Sequence, residues 1–255
     1  MSLPEIVLWY LKDSLTSRRL LPAALLLAIG PAFALLFITF GFEPTEAYDG
    51  SVQLGIFSGS LLLLTIAHAG GIVTNEVTGR TISFLLTRPV PRWKLFLGKW
   101  IGAVTVTVLI SLGSCILTAV ICYGADVPAN MLRRDLLVLT AGAITYSSLF
   151  ALLSTLSKRP WIIAAVFAFF WESWVAYVPG DFRRLSVMTY LKQLSPHADL
   201  TQTESAFAPL QEAFQATPID PMTCWNTLAV LTLVSLVIAV AIFSSAEFLP
   251  AEESA

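Results

Sequence analysis

Long apolar runs alternate with short polar ones along the chain, and the apolar runs predict its architecture. Six of them approach the ~20 residues with which an α-helix crosses a ~30 Å hydrocarbon core. They cover about Leu20–Phe42, Val52–Val73, Gly98–Tyr123, Leu136–Ser157, Trp161–Val178 and Thr223–Ala246, the fifth being the shortest. Ahead of them, Ile6, Val7, Tyr10, Leu11 and Leu15 share one helical face, with Lys12, Asp13, Arg18 and Arg19 mostly elsewhere. That spacing predicts an interfacial helix within residues 1–19. A cleaved signal peptide fits less well, because the charged part is too long and no small-residue cleavage site follows. Residues 179–222 hold two further amphipathic candidates. Leu185, Met188, Leu191 and Leu194 recur at helical spacing, then Phe207, Leu210 and Phe214 do so ahead of a Pro218–Pro221 break. These are expected to form an outer, extracytoplasmic cap on the bundle between the fifth and sixth spans, with anchoring in the outer leaflet as the alternative.

The polar insert after the second run has a different character. Thr74–Lys99 reads TNEVTGRTISFLLTRPVPRWKLFLGK and carries Arg80, Arg88, Arg92, Lys94 and Lys99. Val77, Thr81, Phe84 and Leu85 can form a short amphipathic helix. Pro89 and Pro91 then stop it, since each lacks an N–H and disfavours helix in the residue before it. A rigid elbow over residues 74–97 results, suited to docking another protein.

Composition fixes the class. Of 255 residues 56% are hydrophobic and 13% charged, with a mean hydropathy of +0.76. A soluble domain carries about 25% charged residues, so the chain is expected to be an all-α integral membrane protein forming a single transmembrane domain over 1–255. Charge placement predicts its orientation. The arms with Lys12, Arg18, Arg19, the cations of 74–99, Lys158 and Arg159 hold ten basic residues, whereas those with Arg133, Arg134, Arg183, Arg184 and Lys192 hold five. The positive-inside rule therefore places both termini in the cytoplasm of a multi-pass protein of the inner (plasma) membrane. The acidic tail Ala246–Ala255 reads as a solvated end.

Candidate chemistry is sparse. Cys115, Cys122 and Cys224 have no metal-binding spacing. Cys122 and Cys224 fall near the outer ends of their runs, and free buried thiols are expected there. His68 and His197 lie far apart in sequence and suggest no site alone. Gly55, Ser58, Gly59 and Ser60 offer a face for close helix packing. Glu172 is the one acid placed within a span, in its outer half, where a carboxylate costs up to about 3 kcal/mol. It reads either as a polar contact in a transport pathway or subunit seam, or as a structural carboxylate bonded to a neighbouring helix. Trp171, Trp174 and Tyr177 around it resemble an interfacial belt.

The stretch Glu76–Lys99, E-V-T-G-R-T-I-S-F-L-L-T-R-P-V-P-R-W-K-L-F-L-G-K, resembles the first cytoplasmic loop of type-2 ABC exporter permeases. The matching positions are Glu76, Gly79, Thr81, Leu85, Leu86, Pro89, Val90, Arg92, Leu97, Gly98 and Lys99. Two departures occur: Arg80 separates Gly79 from Thr81, and Pro91 stands where that family usually has serine. A softer likeness runs from Trp171 to Leu191, similar to the fifth span and outer helix of the same permeases, including those resembling the copper-enzyme maturation permease.

The resemblance implies a non-catalytic permease subunit of an ATP-driven exporter, with no cofactor or metal of its own. It implies a coupling interface of Glu76, Gly79, Arg80, Thr81, Leu85, Leu86, Pro89 and Arg92, seated on a separate ABC ATPase that binds the ATP. It also implies a second permease copy as partner, and the lipid bilayer, but no nucleic acid. Consistently, the chain lacks a GxxxxGK[ST] phosphate loop: Gly98-Lys99 is followed by Trp100, and Trp93 stands where the earlier glycine belongs. A secondary transporter or channel without an ATPase is the alternative. It would call for internal repeats, broken spans or several buried charges. A serine intramembrane protease has little support, because Gly55-Ile56-Phe57-Ser58-Gly59 has one residue too many between glycine and serine, and His68 shares its span.

Overall fold

The computed structural model describes residues 3–14, 17–73, 91–157, 159–175, 181–195, 197 and 219–245. All regular structure among them is helical, and we number the helices in chain order. α1 is Leu3–Ser14 and α2 is Ser17–Thr39. α3 is Pro44–Ala69, α4 is Arg92–Tyr123 and α5 is Ala129–Leu156. α6 covers residues 160–175, α7 is Val187–Leu194 and α8 is Pro221–Ser245. A 3₁₀ turn, Asp181–Leu185, precedes α7.

Five of these helices are long and apolar enough to cross a membrane: α2, α3, α4, α5 and α8. They coincide with five of the six expected runs. α6 is shorter. Its 16 described residues rise about 24 Å at ~1.5 Å per residue, and the expected run continues to Val178, outside the described residues. Pro22 and Pro31 sit inside α2 without ending it, as neighbouring groups in a bundle can satisfy the freed carbonyls.

The spanning helices consecutive in the chain from α2 to α5 run antiparallel, whereas α8 packs parallel to α5. At one end of the bundle, the loop end, Val73 and Pro91 flank residues 74–90. Here Tyr10 donates to the carbonyl of His68 (3.0 Å), and Phe96 of α4 meets Phe243 of α8 with centroids 5.4 Å apart. α1 and the C-terminal end of α8 thus share this end. At the other, the cap end, Tyr48 of α3 lies 5.5 Å from Tyr123 of α4.

Glycines set the closest approaches. A Cβ on Gly30 would stand 2.7 Å from Ile56 and from Ser114, so only glycine lets α2 settle between α3 and α4. Gly55 faces Phe33 and Gly30, so at this position the small-residue set packs the chain against itself. α1 is amphipathic as expected, with Ile6 buried and Leu8 and Trp9 exposed. It lies on protein: Ile6 fills the space above Gly98 and Tyr10 that above Gly102, each 2.7 Å from where a Cβ would stand.

Two helices contain π-helical stretches, Ser51–Ser60 in α3 and Phe167–Glu172 in α6. Such stretches interrupt the regular ladder and often mark functional sites. Both abut the buried polar groups described next.

Candidate functional site

Most of the expected coupling interface (Glu76, Gly79, Arg80, Thr81, Leu85, Leu86 and Pro89) lies outside the described residues. The same holds for the second amphipathic candidate around Phe207–Phe214 and for the acidic tail. Arg92 is described, and it opens α4 directly after Pro91, whose ψ of 134° keeps it out of the helix. The helix therefore begins six residues before the apolar run that starts at Gly98. Trp93 is half exposed, with the Lys94 ammonium 5.4 Å from its ring centre, while Lys99 is buried.

Glu172 is buried at 1% exposure. Counted from Pro160 at about 1.5 Å per residue, it lies about 18 Å along α6. Its carboxylate accepts four hydrogen bonds. Tyr146 Oη donates from α5 at 2.9 Å and Ser186 Oγ at 2.7 Å. The amides of Val187 and Met188 donate at 3.2 and 2.9 Å. The carboxylate thereby caps α7, satisfying amides that a helix start leaves open and meeting the positive end of its dipole. This geometry gives an intramembrane acid a physical reason to be there.

The same contact corrects the sequence pattern. Leu185 was expected on the apolar stripe with Met188, Leu191 and Leu194. Those three are buried, but Leu185 is 60% exposed and ends the 3₁₀ turn. Ser186, extended at φ −97° and ψ 133°, separates the two elements, because α7 must begin where Glu172 reaches it.

From Glu172, α7 runs back to the cap end. Leu191 packs over Gly142 of α5, where a Cβ would stand 2.9 Å from it. Its C-terminal end meets a cluster that sequence reasoning missed. Asp135, 1% exposed in α5, accepts from Tyr48 Oη (2.7 Å) and from the Ser195 hydroxyl. His197 lies between two aspartates, with Nδ1 2.7 Å from Asp49 Oδ1 and Nε2 3.0 Å from Asp135 Oδ1. Nε2 also stands 3.0 Å from Ser195 Oγ, and Gln53 Nε2 donates to the His197 carbonyl at 3.0 Å. Tyr48 Oη lies 3.6 Å from Cys115 Sγ. Burial pulls the His197 imidazole down, but hydrogen bonds to Asp135 and Asp49, and their charges, outweigh it and raise it to about 9. The available signal was Asp135 at the head of an apolar run and Asp49 ahead of another. Their partner was invisible because His197 is 148 residues from Asp49.

Cys122 and Cys224 are free and buried, as expected, and so is Cys115. Among the described residues no group of His, Cys, Asp and Glu is arranged to hold a metal.

The described residues thus form a helical bundle in which a short internal helix is held by polar groups at both ends. No curated protein matches the chain. Residues 11–248 match the model of the ABC-2 family transporter protein. That match spans nearly the whole chain and agrees with the apolar helices, so the chain belongs to the ABC-2 transporter family, as a multi-pass membrane permease.

Proposed function

We propose that this permease is the transmembrane subunit of an exporter driven by a separate ATP-hydrolysing subunit, which seats the 74–92 loop. A second copy of the chain completes the transport unit. The observation that carries the reading is the continuity of α4. It runs unbroken from Arg92 to Tyr123, about 48 Å at 1.5 Å per residue. At the loop end it holds α1 through Gly98 and Gly102, and at the cap end Tyr123 lies against Tyr48. A displacement of the loop by nucleotide-driven closure would therefore reach the groups around α7. Both termini are read as cytoplasmic in the plasma (inner) membrane, on the basic side; α1 and the end of α8 share one end of the bundle. The outer mouth is then the cap end.

Purification of the full chain from its own cells tests this. An ABC ATPase should copurify, and Gly79→Trp together with Arg92→Glu should reduce its recovery at least tenfold without reducing membrane insertion. No copurifying ATPase, or full recovery with both substitutions, would leave the secondary-transporter alternative standing.

A further inference from the structure

We infer that Asp49, His197 and Asp135 form a charge clasp that keeps α7 seated in the cap-end mouth and releases it when the imidazole gives up its proton. The geometry carries this. Both ring nitrogens face carboxylate oxygens, at 2.7 and 3.0 Å. Only the imidazolium has two N–H donors; a neutral ring has one and must turn a lone pair toward the other carboxylate. The seated arrangement therefore requires the charged ring, and loss of the proton replaces a hydrogen bond with repulsion between lone pairs.

Among the described residues, the titratable groups facing the ring come from two span helices. α3 supplies Asp49 and Tyr48, whose ring centre is 5.8 Å from that of His197, and α5 supplies Asp135. Behind Tyr48 stand Tyr123 and Cys115 of α4. The clasp acts at one end of α7 only. Glu172 at the other end has hydroxyl and amide donors with no imidazole among them, so that end serves as the hinge. Leu191 over Gly142 is the contact that separates when the helix lifts. The raised affinity of His197 for its proton agrees with this direction and places release on the alkaline side.

This inference rests on the permease reading only for the statement that α7 closes an outer mouth. It is tested on the full chain in lipid nanodiscs by amide hydrogen exchange, with protection factors for residues 187–195 corrected for the intrinsic rate at each pH. Between pH 7 and pH 10 the wild-type protection should fall at least tenfold, while residues 224–243 of α8 keep theirs. His197→Gln should be at least tenfold less protected at pH 7 and show no further fall. Asp49→Asn, whose amide can donate to Nδ1 while a neutral ring keeps its Nε2 donor toward Asp135, should reduce the fall at least threefold; it also carries the test should His197→Gln not fold. Unchanged wild-type protection from pH 7 to 10, or the same fall in His197→Gln, would overturn the clasp. Absence of a copurifying ATPase would instead remove the ATP-driven exporter reading and leave the exchange result intact.

Discussion

The two ends of α7 solve one problem in different ways. Each is anchored by a carboxylate almost withdrawn from solvent, Glu172 at one end and Asp135 at the other. Glu172 takes its donors from uncharged groups: two helix amides, a serine and a tyrosine. Asp135 also uses hydroxyls, from Tyr48 and Ser195, but shares a cation with Asp49. The first solution has no titrating donor near neutral pH and should hold α7 in place under all ordinary conditions. The second depends on a proton and can be undone. A buried acid in a membrane bundle is thus either a fixture or a switch, depending on whether its donors can lose their charge.

The comparison can be broken most severely at Glu172. Glu172→Ala leaves Tyr146, Ser186 and two amides unpaired in a nonaqueous interior, at about 1–3 kcal/mol for each unmet group. A total loss of at least about 4 kcal/mol is expected, seen as failure to recover monodisperse protein or a collapse of Tm in detergent. Glu172→Gln keeps one acceptor oxygen and should be distinctly milder. Equal Tm for wild type and Glu172→Ala would show that the carboxylate does not hold α7.

Asp135→Ala comes next. It strands Tyr48 and Ser195 and leaves the imidazolium with Asp49 alone, for about 3 kcal/mol. Thermal unfolding at pH 7 measures it, and a loss below about 1 kcal/mol would mean that the cluster contributes little to seating α7.

Gly142→Val sharpens the picture between the two ends. The added side chain meets Leu191, and overpacking of this kind costs about 1–3 kcal/mol. Pairing it with Leu191→Ala should recover part of the loss in a double-mutant cycle; strict additivity would deny the contact.

The smallest expected effect is the pH dependence of stability. His197 binds its proton more tightly when folded, about 9 against 6.5. Its contribution is therefore complete below about pH 6.5 and is lost as pH rises through about 9. Tm should decline over that window in wild type and stay level in His197→Gln. A parallel decline in both would assign the alkaline limb to another group.

Several of these features were legible before any coordinate. The apolar runs set five long helices, ending within four residues of their observed limits but starting up to eight residues late, and Ile6 and Tyr10 were on the expected face of α1. Met188, Leu191 and Leu194 were recognisable as a buried stripe. Leu185 was misplaced, because helical spacing continues through Ser186 while the chain does not. Glu172 stood out as an acid among apolar residues, yet its four donors belong to α5 and to the start of α7. Asp135 reads as the polar head of an apolar run, and His197 as a lone histidine that suggests no site.

What the sequence by itself determined is therefore the membrane class, the C-terminal limits of the long helices and, through Glu76–Lys99, the resemblance that the family match bears out. Hydrophobic length and proline placement act within a helix or two of chain, so they can be read locally. Tertiary structure alone decided where α7 begins, why Gly30, Gly98, Gly102 and Gly142 cannot carry a side chain, and that His197 lies between Asp49 and Asp135. The physical reason is range. A buried charge is stable only beside its partner, and here the partners are 62 and 148 residues apart, brought together by packing of the whole bundle.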